Sequence, residues 1–81
     1  MAHEPVFEGT LAWAGPNGQP FHYDHFDRST RIEFKGGAVV HASAPGEFKG
    51  DDGKTNPETL MLGSLMQCHF LTFMAVASKS G

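Results

Sequence analysis

The 81-residue sequence holds a single cysteine, Cys68. That excludes an internal disulfide. With five histidines scattered at positions 3, 22, 25, 41 and 69, no zinc-ligand spacing is present either. Charge is also sparse: six Lys and Arg against nine Asp and Glu give a net charge of −3. The basic residues are spread out and mixed with acids, so there is no electrostatic footprint for nucleic acid. The start, MAHEPVFEGT, lacks the basic and apolar regions of a secretory signal. A reducing, cytoplasmic setting follows as the expectation. Repeats and low-complexity segments are absent. A chain of this length makes at most one small domain, and below roughly 80 residues a core needs disulfides, a metal or a partner subunit. With the first two missing, oligomerisation is the expected source of stability.

The first half of the chain reads as strands and turns. Residues 4–14 partly alternate, with Val6, Phe7, Leu11 and Trp13 suited to a strand. AGPNGQP at 14–20 is a loop. A second strand is expected over 21–34, where the parity of the apolar residues switches from Phe21 and Tyr23 to Phe26, Ile32 and Phe34. A bulge, or a turn near Asp27–Ser29, accounts for such a switch. KGG at 35–37 is a hairpin turn leading into a third strand over 38–43. The Gly-rich, charged stretch 45–55 is long enough to suggest function beyond connection.

The strongest expectation is a helix over 57–79. Asn56 suits the N-cap, Pro57 the first helical position and Glu58 the positive end of the macrodipole. Lys79 falls in the last turn and Gly81 just beyond it. From Leu60 to Ala77 the residues are apolar on nearly every side, over a length near the lower limit of a membrane span. Ser64, Gln67, His69 and Thr72 interrupt the run, and no basic flank or aromatic belt frames it, so a membrane span is not expected. An all-round apolar helix in a soluble protein is a central, covered one. A three-strand layer covers only one side, so further protein is expected on the other.

Three groups of residues bear on chemistry. Cys68 reads either as packing, since free cysteine is commonly buried, or as a reactive thiol. Reactivity demands the thiolate, and an unassisted thiol with pKa near about 8.5 is mostly protonated at neutral pH. Cys68 lies too far along the helix for the N-terminal dipole, so an activating cation must come from elsewhere. Glu58 reads as a capping charge or as the acid partner of such a cation. It precedes Cys68 by about 15 Å of helix rise and points about 80° away, so the two cannot meet within one helix. His69 is turned about 100° from Cys68 and reads as a core histidine. HYDHFDR at 22–28 reads as a solvated strand face with local ion pairs, as the source of an arginine, Arg28, for a carboxylate or thiolate, or as a carboxylate–histidine metal site lacking a third ligand.

The stretch GKTNPETLMLGSLMQCHFLTF resembles the signature of the osmotically inducible and organic hydroperoxide resistance (OsmC/Ohr) family. In that family Asn-Pro-Glu opens a long central helix and the reactive cysteine follows ten positions after the Glu. Asn56, Pro57, Glu58 and Cys68 match that pattern. SAPGEFKGDDGKTNPE and CHFLTF are similar to a subgroup with Cys-His where others have Cys-Phe, and YDHFDR resembles a strand of that subgroup. The resemblance implies an α+β, OsmC-like fold, of which these residues are the N-terminal half. It also implies an intertwined homodimer with sites at the subunit boundary.

By resemblance, Cys68 is the peroxidatic thiol and Glu58 the acid that holds an activating arginine. Glu47 stands where one variant carries that arginine, so Arg28 takes the role, with Arg31 and Lys49 behind it. The usual resolving cysteine belongs to a C-terminal half outside these residues, so an external thiol is the implied reductant. No cofactor, metal or nucleic acid is implied. Two further readings stand beside this one: a non-catalytic OsmC-like module that binds a small molecule or assembles, with Cys68 buried and inert, and a Cys/His metal-binding fragment.

Overall fold

The computed structural model describes residues 4–16, 18 and 20–81. It consists of three strands, β1 (Gly9–Ala12), β2 (Thr30–Phe34) and β3 (Val39–Ala42), a one-turn 3-10 helix at Gly46–Phe48, and a long helix, α1 (Pro57–Ser80). The strands form an antiparallel sheet in the order β1-β2-β3. The architecture is thus an antiparallel three-strand sheet followed by one helix, a general α+β arrangement.

Register divides the sheet into two unlike faces. Leu11, Ile32 and Val40 stand opposite one another, flanked by the pairs Gly9–Phe34 and Thr30–Ala42. These make the apolar face. The other face pairs Ala12, Arg31 and His41 across the strands, with Thr10, Glu33 and Val39 in the adjoining row. The β2–β3 hairpin closes as its KGG turn requires. Phe34 N–H donates to Ala38 O at 2.9 Å, and Gly36 and Gly37 adopt φ of 105° and 104°, where a side chain would be strained.

Two expected strands are shorter in the structure. Of 4–14 only Gly9–Ala12 pairs, and of 21–34 only Thr30–Phe34. Residues 21–26 form turns instead. The cause is local competition for the backbone: His22 Nδ1 accepts the Asp24 N–H at 3.2 Å, and Asp27 Oδ1 accepts the Ser29 N–H at 2.8 Å. The alternating faces expected for 22–28 therefore do not exist. His3 and positions 17 and 19 of the 14–20 loop lie outside the described residues.

Residues 43–56 are folded tightly. Asp52 Oδ1 accepts Gly46 N–H at 2.7 Å, Asp51 Oδ1 accepts Gly53 N–H at 2.8 Å, and Asp51 N–H donates to Ser43 Oγ at 3.1 Å. Ser43 N–H donates to Thr55 O at 2.8 Å beside a parallel bridge between Ala42 and Thr55. Ala42 and Ser43, each 5% exposed, are the buried residues of the described chain.

The helix starts as its sequence demands, with Asn56 Oδ1 accepting the Thr59 N–H at 2.8 Å and Pro57 in the first turn. It ends with Lys79 in the last turn and Gly81 at φ 94°. No residue of α1 is buried. Leu60 is half-buried against the sheet, and the large apolar side chains beyond it range from 47% exposed (Met74) to 65% (Met61). By length and composition α1 is also able to cross a membrane.

The radius of gyration is 17.6 Å, against about 12 Å for a compact domain of this length. The accessible surface is 6803 Å², whereas a compact monomer of this mass presents about 4,800 Å². The helix beyond its first turn thus projects from the sheet and contributes to that excess.

The tight 43–56 segment and the helix cap should respond differently to mutation. A Cβ at Gly50 would run into the Ala44 backbone. Gly50→Ala is expected to unfold the segment and broaden thermal unfolding followed by circular dichroism, whereas Asn56→Ala should cost only about 1 kcal/mol. Equal effects would contradict this description.

Candidate functional site

Cys68 lies midway along α1 and is exposed rather than packed. His69 is exposed as well, so the expected core histidine is not found within this chain. Among the described residues no hydrogen bond or ion pair engages the side chains of Glu58, Cys68 or His69, and the side-chain bonds of α1 belong to its cap and serines. Glu58 occupies the first turn of the same helix. The separation of about 15 Å along the axis therefore holds, and one chain does not bring the acid to the thiol.

Arg28 is built into the turn that precedes β2. Its Nη1 donates to Phe26 O at 2.9 Å, and its Nη2 donates to Tyr23 O. The guanidinium stacks over the Phe26 ring at 3.8 Å and the Tyr23 ring at 4.8 Å. From there it helps line an open pocket of about 390 Å³ on the apolar sheet face, which the first turn of α1 borders with Pro57 and Leu60. Arg28 thus adjoins the end of the helix that carries Glu58, while Cys68 lies farther along. Of the other candidate activators, Arg31 pairs with Glu33 at 3.1 Å and Lys49 with Asp24 at 3.4 Å.

An aromatic cluster that sequence reasoning missed stands beside Arg28. Trp13, Phe21 and Phe26 pack with centroids 5.6–6.4 Å apart. Trp13 Nε1 donates to Asp27 O at 2.7 Å, tying the end of the first hairpin arm to the 21–28 turn. With Leu11 and Arg28 these rings line a cavity of about 350 Å³. It adjoins the Pro57–Leu60 cavity through Leu11, Arg28 and Thr30. The signal was the density of aromatics between 13 and 26, but their convergence depends on loops whose path periodicity does not encode.

His22 and His25 lie with ring centroids 5.7 Å apart. No group of three metal-ligating side chains gathers among the described residues. Asp27 has its carboxyl held below the ordinary value of 3.8, first by the Ser29 N–H, then by the Ser29 hydroxyl, with a smaller contribution from Lys54. No protein-family model, curated protein or solved structure matches the chain.

The Asp27 carboxylate therefore binds its proton less readily in the folded chain than in the unfolded one. Its contribution to stability is present above about pH 4 and is lost as pH falls through the lowered folded value. Asp27→Asn should leave a stability profile that is flatter between about pH 4 and 2 than the parent's in thermal scans. A parallel profile would show that the Ser29 bonds do not couple to folding.

Proposed function

We propose that the chain is the N-terminal part of an OsmC-like, thiol-dependent peroxidase of the cytoplasm, working in defence against oxidative stress. The carrying observation is the helix itself. Asn56-Pro57-Glu58 opens α1 at its cap, Cys68 follows ten residues later, and beyond Leu60 every side of that apolar helix is uncovered. The excess of about 2,000 Å² of surface is the scale buried in obligate assemblies rather than in passing contacts. A second copy, intertwined with the first, supplies the cover and forms the pocket around the sulfur.

Within that pocket the Arg28 guanidinium of one subunit lies beside the Cys68 of the other and stabilises its thiolate, with Glu58 orienting the arginine. The thiolate attacks a hydroperoxide oxygen. An S–O bond forms as the O–O bond breaks, the sulfur is oxidised by two electrons, and the departing alkoxide takes a proton to leave as an alcohol. Cys68 becomes a sulfenic acid. An external thiol, the reductant the resemblance implies, condenses with the sulfenic acid, releasing water, and a second thiol reduces the mixed disulfide.

A second reading is favoured by one observation. Arg28 is already held by two backbone carbonyls and two rings. This suits a non-catalytic OsmC-like module that binds a small molecule or assembles, with an inert Cys68.

Cumene hydroperoxide consumption with excess dithiothreitol separates the two. The parent should consume peroxide, and its activity per chain should rise with protein concentration as subunits associate. Cys68→Ser should fall to background, and Arg28→Met should lose about ten-fold or more. Dimedone should label Cys68 only after peroxide is added. Turnover that survives in Cys68→Ser rejects the peroxidase.

A further inference from the structure

The polar face of the sheet carries a cleft that thiol chemistry does not use. Arg31 and His41 stand opposite each other on β2 and β3. Lys54 enters from the folded 43–56 segment, and Ser29 and Trp13 complete the walls of an open cleft of about 360 Å³. Three basic side chains from separate elements meet here in a chain of net charge −3. Overall charge does not explain the gathering.

These groups have donors to spare. Arg31 gives one N–H to Glu33 at 3.1 Å, and a guanidinium carries several more. Lys54 gives one to Ser29 Oγ at 2.8 Å, while the Asp51 carboxylate stands off at 3.9 Å, beyond hydrogen-bond reach. Among the described residues no hydrogen bond or ion pair occupies the His41 ring. Glu33 pairs with Arg31 and Asp51 with Lys54, and Asp27 feels the Lys54 charge, so part of the positive charge is already held, but further donors on both side chains stay unfilled. Donors on separate walls suit a tetrahedral oxyanion better than a planar carboxylate, whose oxygens lie on one side. Trp13 has already spent its indole N–H on Asp27 O and is 41% exposed, so what it offers the cleft is its apolar ring.

We propose that this cleft binds a phosphomonoester carrying an aromatic or other flat apolar group. The phosphate sits among Arg31, His41 and Lys54 and the flat group lies against Trp13. The proposal stands apart from the thiol chemistry and does not need it.

Trp13 is the only tryptophan, and its fluorescence reports on the cleft and on the aromatic cavity it also lines, so the cleft variants assign the signal. The full 81-residue chain would be titrated at low salt with phenyl phosphate, inorganic phosphate and benzoate. Phenyl phosphate should give a saturable change, with both comparison ligands at least about ten-fold weaker. Arg31→Gln and Lys54→Met should each weaken phenyl phosphate about five-fold or more. His41→Gln, which removes no bond internal to the fold, should weaken it about three-fold. Lys49→Met removes the same charge outside the cleft and should leave affinity within about two-fold. No saturable response by about 10 mM phenyl phosphate overturns the proposal. So does equal loss in Lys49→Met, which would mark a general charge effect, or benzoate binding as tightly as the phosphate.

Discussion

Between sheet and helix runs a tether, residues 43–56, and its hydrogen bonds to Ser43 fix where the helix begins. The Ser43 N–H holds the Thr55 carbonyl and its hydroxyl accepts the Asp51 N–H. That pair of contacts sets Asn56 at the mouth of the helix and places Pro57 and Leu60 over the end of the apolar sheet face. It also brings Lys54 to the opposite face, against Ser29. One small, buried residue thus ties together what each side of the sheet meets. The burial of Ser43 is tolerable because its polar atoms find partners within the same segment.

Beyond Leu60 the chain offers the helix no support. Propensity and capping define where α1 starts and stops, but a helix in water draws most of its stability from packing an apolar face. Here that face extends around the whole circumference. Were the protein soluble, uncovered apolar area of this extent would mark an interaction surface, and by length and composition the same helix also suits a membrane. The same reasoning explains why Cys68 has an ordinary, open environment in one chain.

The helix was the most legible element. Asn56, Pro57, Glu58, Lys79 and Gly81 each carry a local physical preference, and the structure uses all of them as expected. The KGG hairpin was equally plain, because two successive positive φ angles call for glycine. The 21–29 region was not, since His22 and Asp27 cap their own backbone and defeat an alternation that looked like a strand. The separation of Glu58 from Cys68 could be read from helix geometry alone. Neither the aromatic cluster around Arg28 nor the basic cleft on the polar face could be, because each joins residues from different elements. Lys54 meets Ser29 across 25 positions of sequence, a contact that no periodicity encodes.

The two ends of α1 carry its only full charges, Glu58 at the start and Lys79 at the finish, with none between. Two such rods laid head to tail would set each acid near the other's lysine and would also oppose their dipoles favourably. Laid in the same direction, they would bring acid to acid and lysine to lysine. The uncharged middle is greasy enough to slide by a turn in either direction, so those terminal charges are what can choose orientation and alignment.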